Sequence, residues 1–463
     1  MKISRAWWSG LSGCAGWLTV LALAVFAVGC GDIYRPVAIP IAGSPGDPQP
    51  TSYAFVVSQN APSSGGSITQ LNVPGDSAVF ATAAGMGPVH AAFLPPGESR
   101  IYIANRDDDT LTTYLPSFST LAPTVLNLPA GSHPVYLAST ESGKMYVADA
   151  GTNTVGVVDG LQSALTTVVP VGNTPVALAE TSDGKKLYAV NQGDGTVSVI
   201  DTATDTVRQT ITVGTSPIWA LFSPDKQELY VLNQGSGTVS VINATTDTLV
   251  TSLSAGTSPT HMFVDAHFNR LYVVDAASGQ NLWIFDASVD PPVLLNKVSL
   301  PLANPTSVTV LANGLKAYVP SQQVTAPALN RLCPISNVPC SLAVVTVAVV
   351  NTTNNTVSKL VSLTSPVPQS LDPVTKKLNS LVCNPGNAPF TQTGGVRFPA
   401  FATAASNNNR VYVSSCDAGV IHILNTTNDS LVTDLSMVPS AFPPPTSTSP
   451  PAPQQPAFVL AGP

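Results

Sequence analysis

Apolar and polar residues alternate with a period of two in short runs along most of the chain, and the runs recur. The clearest pair begins at Leu187 and Leu229. The first run, Leu187-Tyr188-Ala189-Val190-Asn191, meets a Gln192-Gly193-Asp194-Gly195 turn and continues as Thr196-Val197-Ser198-Val199-Ile200-Asp201. The second repeats it 42 residues later, from Leu229 to Asn233, through Gln234-Gly235-Ser236-Gly237, and from Thr238 to Asn243. Alternating Tyr, Val, Ile and Thr on both sides of a glycine turn predict a β-hairpin, because the glycines supply the positive φ that a tight reversal requires. A further strand follows, as in Thr206 to Val213, and another runs from Ile218 towards Ser223. Four short strands in each period of about 42 residues predict blades arranged radially rather than one irregular domain.

Counting supports a ring. The aromatic-led strand recurs at Phe55, Tyr102, Tyr146, Tyr188, Tyr230, Tyr272, Tyr318 and Tyr412, with spacings of 42 to 47 residues until a last gap of 94. That gap is read as one repeat with two insertions, at about 320–341 and about 365–396. Between them, Leu342 to Val350 followed by Asn351-Thr352-Thr353-Asn354-Asn355-Thr356-Val357 matches the strand and turn of Asp201-Thr202-Ala203-Thr204-Asp205-Thr206-Val207. Proline-led strands start at Pro88, Pro134, Pro175, Pro217, Pro259, Pro305 and Pro399, one fewer than the aromatic-led set. Pro456 to Ala461 resembles the missing piece. The expectation is an all-β propeller of eight four-stranded antiparallel blades over residues 52–463, closed by N- and C-terminal strands in one blade, which removes exposed sheet edges. Seven blades would require residues 52–85 or the last repeat to lie outside the ring.

The unit Leu-Tyr-Val-x-Asn, Gly-Thr-Val-Ser-Val-Ile-Asp and Val-Gly-x-x-Pro resembles the YVTN repeat of bacterial and archaeal β-propellers, most strongly from about 100 to 315. This resemblance implies the propeller fold and no single activity. Propeller lactonases share the repeat pattern, but no acid, base and phosphate-binding arginine set maps onto this sequence residue by residue.

Outside the repeats, Lys2 and Arg5 precede an apolar run from Leu18 to Val28, the pattern of a secretory signal over 1–29. Ala27-Val28-Gly29-Cys30 resembles a lipobox, with Ala27 where a leucine is usual, and implies lipid attachment at Cys30. No later apolar run is long enough to span a bilayer, so the lipid is the expected membrane contact. Residues 30–51, with Pro36, Pro40, Pro45, Pro48 and Pro50, read as an extended tether. Cleavage would remove two lysine or arginine charges and take the formal charge from −7 to −9. Charged residues are 10% of the chain, against roughly 25% in average soluble domains. A sparse acidic surface does not suit nucleic acid, which requires a basic stripe.

Connections out of aromatic-led strands and into proline-led strands share one face of a propeller, here called the top. Both insertions and the Pro-rich linker at 438–456 fall there. So do Cys333, Cys340, Cys383 and Cys416, an even set in an exported chain, for which Cys333–Cys340 and Cys383–Cys416 is the preferred of three connectivities. No C-x-x-C or neighbouring His supports a metal, and no cofactor is expected. Two residues after each strand-leading proline, one variable position reads His90, Tyr136, Ala177, Trp219, His261, Ser307, Phe401 and Phe458 around the ring. These side chains either line the top mouth of the channel, where aromatics and imidazoles can hold a sugar or peptide, or wedge between blades. His90 and His261 fall in opposite blades, too far apart to share a proton. Arg106-Asp107-Asp108-Asp109 reads as a solvated turn. Asn351, Asn354 and Asn425 read as turn-forming residues. The functional expectation is a lipid-anchored, non-catalytic binding or scaffolding module at the cell envelope, its partner a protein, peptide or glycan and its top face directed away from the membrane. A lactonase-like hydrolase and a purely structural envelope component are the alternatives.

Overall fold

The computed structural model describes residues 53–59, 65–94, 100–115, 123–139, 143–332, 340–366, 370–371, 378–379, 399–436 and 455–461, apart from single positions 182, 226, 278, 327 and 406. Every aromatic-led run is a strand, and eight four-stranded antiparallel sheets form an eight-bladed β-propeller. The chain enters at Tyr53–Gln59 and continues through Ser67–Asn72 and Ser77–Ala83 in blade 1. The innermost strand of that blade is Gln455–Ala461, which pairs antiparallel with Tyr53–Gln59 and closes the ring. Blades 2 to 6 begin at Pro88, Pro134, Pro175, Pro217 and Pro259, blade 7 at Thr309 and blade 8 at Ala400.

Within a blade the strands are called a to d from the axis outwards. Alternation sends one face of strands b and c into each neighbouring blade. Blade 5 thus packs Tyr230, Leu232, Val239 and Val241 against Met262, Leu271, Val273 and Phe285 of blade 6. Gly195 and Gly237 take φ +65° and +66° at the ends of their b–c turns, so the glycines of the repeat are required there. A register shift then bends strand d against strand c at the same place in most blades.

A second feature stitches several blades to the next. The aromatic-led tyrosine is buried in blades 2 to 8, and in blades 2, 3, 4 and 7 its hydroxyl reaches the c–d turn of the following blade. Tyr146 donates to Asp205 at 2.9 Å, Tyr318 to Asp429 at 2.6 Å and Tyr102 to the Gly160 carbonyl at 2.7 Å. The residue two positions before the tyrosine adds a cation. Lys144 pairs with Asp205 at 2.8 Å and Lys316 with Asp429 at 2.8 Å. Arg410 of blade 8 forks onto both oxygens of Asp76 in blade 1, at 2.7 Å each, across the closure. Charge-assisted and bidentate bonds are the stronger members of their class.

Blade 7 departs from the repeat. Its strands b, c and d lengthen to Lys316–Val324, Leu342–Asn351 and Thr356–Pro366. The first part of each expected insertion therefore continues a strand: residues 320–324 belong to strand b, and 365–366 end strand d. Ala328 and Cys340 form an isolated bridge beyond the b–c end, and Ser370–Leu371 pairs with Leu378–Asn379 apart from the blades.

Candidate functional site

Strand a carries the variable position, and backbone geometry explains its orientation. Immediately after the leading proline the register against strand b slips by one residue, between Pro88 and His90, Pro134 and Tyr136, Pro217 and Trp219, and Pro259 and His261. A bulge of this kind leaves one residue unpaired and re-aims the next side chain. Five of the eight variable residues come together. His90 stacks on Tyr136 at 4.0 Å between ring centroids, Tyr136 meets Trp219 edge-on at 5.7 Å, Trp219 contacts His261 at 5.1 Å, and His261 meets Phe401 edge-on at 5.5 Å.

The gaps in this chain of rings are as informative as the rings. Ala177 of blade 4 and Ser307 of blade 7 occupy the same position with small side chains. Their size lets Tyr136 of blade 3 reach Trp219 of blade 5, and His261 of blade 6 reach Phe401 of blade 8. His90 and His261 are linked through Tyr136 and Trp219 rather than with one another. The rings therefore form one continuous line from blade 2 to blade 8. His90, His261 and Phe401 are buried, and Tyr136 and Trp219 are partly exposed. Phe458 lies on the closing strand, opposite Val57.

Both imidazoles perform the same backbone task. His90 Nδ1 accepts from the Leu137 N–H and His261 Nδ1 from the Val308 N–H, each at 3.3 Å and each in the next blade. Ser307 Oγ accepts from the Ala402 N–H at 3.1 Å in the corresponding place. Acceptance at Nδ1 leaves the proton on Nε2, so both rings are neutral. Burial agrees, lowering both histidines to about 3. It also pushes the Tyr136 hydroxyl up to about 12. The site is thus an uncharged aromatic surface, without the imidazolium or phenolate that acid–base chemistry near neutrality would use.

The acidic turn is spent on loop capping rather than left solvated. Asp108 accepts from the Met86 N–H at 2.8 Å, Asp109 accepts from the N–H groups of Gly131 and His133 at 2.7 and 2.8 Å, and Arg106 pairs with Asp107 at 2.6 Å. Cys340 and Cys416 are both disulfide-bonded. Cys333 and Cys383 lie outside the described residues, as do Cys30, the tether and the 438–454 part of the linker. Among the described residues no three His, Cys, Asp or Glu side chains are grouped to hold a metal.

Sequence reasoning missed one ring of groups. Strand b ends in Asn105, Asn191 and Asn233 in blades 2, 4 and 5. Each Nδ2 donates to two hydroxyls of strand c, as Asn191 does to Thr196 and Ser198 at 3.0 Å. Blade 3 has Asp149 at this place and Gly156 where the second hydroxyl would be, and both buried Asp149 oxygens lack a well-aligned hydrogen bond, with only the Gly156 backbone N–H acting as a donor on the carboxyl. The signal was present in the aligned repeats as an Asn-to-Asp exchange, shared with Asp275 of blade 6, beside a Ser-to-Gly exchange found in blade 3.

No protein-family model and no curated protein matches the chain. Solved structures do. Dihydro-heme d1 dehydrogenase in complex with DHE is similar at TM-score 0.57 and 12% identity, over 92% of this chain and 79% of that one. A protein from Bacteroides uniformis described as a candidate 6-phosphogluconolactonase is similar at TM-score 0.49 and 17% identity, over 68% of this chain and 98% of that one. Hydrazine synthase of Kuenenia stuttgartiensis is similar at TM-score 0.47 and 16% identity, over 67% and 88%. At 12% identity the likeness to the first of these is one of fold alone, and the fold of this chain is an eight-bladed β-propeller.

Proposed function

We propose that this chain is an exported, lipid-anchored propeller of the YVTN type that acts as a non-catalytic binding or scaffolding module at the cell envelope. The observation that carries this reading is the aromatic surface of the innermost strands, in which Tyr136 and Trp219 stay partly exposed beside neutral, buried imidazoles. Flat rings with fixed neighbours bind sugars or peptides by stacking and a few hydrogen bonds, at little cost in side-chain entropy. The two histidines are engaged by backbone N–H groups, which supports binding over proton transfer.

Trp219→Ala should weaken binding of neutral oligosaccharides or peptides, screened on an array with the full chain, by at least about tenfold. Trp219→Phe should keep more of both binding and stability. Loss of melting temperature in Trp219→Ala with unchanged binding would return the rings to a packing role and remove the site. For the anchor, Cys30→Ala should move the protein from the membrane fraction to the soluble one or leave its signal uncleaved. The reason is that stable anchoring needs more than one acyl chain, and all of them would sit on that residue. An intact mass with an unmodified mature N-terminus in the wild type would count against it.

A further inference from the structure

Six of the seams between neighbouring blades carry a cation just before the aromatic-led strand, aimed at the c–d turn of the next blade. Lys144, Lys186, Lys316 and Arg410 each meet a carboxylate there. Arg100 and Arg270 meet turn carbonyls, Gly160 and Thr352. Three of the lysines also donate to a turn carbonyl, those of Thr202, Ala244 and Thr426. Between blades 5 and 6 the same position is Glu228, and the facing turn presents a second acid, Asp290.

Glu228 is only 6% exposed. Its Oε2 accepts from the Tyr230 hydroxyl at 3.0 Å, and no N–H or hydroxyl donates to its buried Oε1. The groups acting on it are Asp290 across the seam and Asp225 and Tyr230 on its own blade; no cation is among them. A buried carboxylate that faces a second acid and no cation is costly to ionise, and a proton on Glu228 directed at Asp290 supplies the missing bond.

We propose that the seam between blades 5 and 6 is a proton-operated clasp. A proton shared by the Glu228 and Asp290 carboxyl groups holds this seam where a lysine or arginine holds the others, and its loss loosens this seam alone. Burial first and Asp290 second raise the Glu228 carboxyl from 4.5 to about 7. A raised acid contributes stability that is complete below the unfolded value and is lost as pH climbs through the folded one, so the seam is closed in mild acid and strained above neutrality. The device is independent of the ligand reading given above.

Amide hydrogen exchange of the full chain, corrected for intrinsic rates, tests it between pH 5.5 and 8.5. Peptides covering Glu228–Asn233 and Val293–Ser299 should gain about tenfold in opening between pH 6 and 8, while those at the Lys186–Asp247 seam should not. Glu228→Gln, which mimics the protonated form, should abolish the response. Glu228→Lys, which restores the cation of the other seams, should abolish it and add protection. An equal pH response at both seams, or an unchanged response in Glu228→Gln, overturns the proposal. Should Glu228 variants fail to fold, Asp290→Asn in the exposed turn should move the response to lower pH, and an unmoved response overturns it equally.

Discussion

Asp247→Asn is expected to cost about 3–5 kcal/mol of unfolding free energy, the range for removing one partner of a buried ion pair. Asp247 is 1% exposed and receives Lys186 at 3.0 Å and the Tyr188 hydroxyl, both from the preceding blade. Without the carboxylate, the mostly buried Lys186 ammonium keeps only the Ala244 carbonyl at 2.7 Å. Asparagine is the informative replacement, because Asp247 sits at φ +56° and alanine would add backbone strain to the loss of charge. Arg208 also reaches Asp247, at 2.9 Å, but its side chain is 45% exposed. Arg208→Ala should therefore cost less than about 1 kcal/mol. Denaturant melts of the two variants check the contrast. Equal losses would mean that the solvated pair, rather than the buried pin, holds the seam. A double variant, Asp247→Asn with Lys186→Met, should recover part of the loss, since it removes the stranded charge.

Asp149→Asn should stabilise the protein in alkaline buffer, by several kcal/mol and on the order of 5 kcal/mol at most. Asp149 is fully buried, and burial, then the charge of Asp109, push its carboxyl from 3.8 up to about 8. Below 3.8 native and unfolded chains both hold the proton and nothing is lost. Between 3.8 and about 8 the unfolded chain releases a proton that the native chain keeps, so stability falls as pH rises. Above that window the full penalty applies. Asparagine carries no such charge and reproduces the residue of blades 2, 4 and 5. His90 and His261 act with the opposite sign, since the native rings stay neutral while unfolded imidazoles protonate below 6.5. Melts at pH 7 to 9 separate the effects. A wild type and an Asp149→Asn variant with the same slope across that range would show that this carboxyl does not carry the penalty.

The blade count, the strand order and the closing strand were legible in the residues because each depends on local patterning. Alternation needs only neighbours along the chain, and the turn glycines near Gly195 and Gly237 need only their own φ. Tyr102, Tyr146, Tyr188 and Tyr318 were legible as strand markers, but not as pins. Their partners lie 58 to 111 residues away, in turns whose acids look solvated when read alone. Asp107 is exposed as expected, whereas Asp108 and Asp109 were not legible as caps for the same reason: the N–H groups they cap belong to other connections.

What the sequence determined by itself is the repeat: eight copies of one hairpin-based unit, with the position two residues after each leading proline set apart as variable. Which of those variable residues meet was decided only when the ring closed. Alanine at 177 and serine at 307 carry no signal of their own, yet their small volume lets rings from blades two apart touch. The exchanges at Asp149, shared with Asp275, and at Glu228 read as plain substitutions along the chain. They acquire energetic meaning only in a folded seam, where burial removes water from a carboxyl group and the neighbouring element decides whether a hydroxyl, a cation or a second acid takes its place.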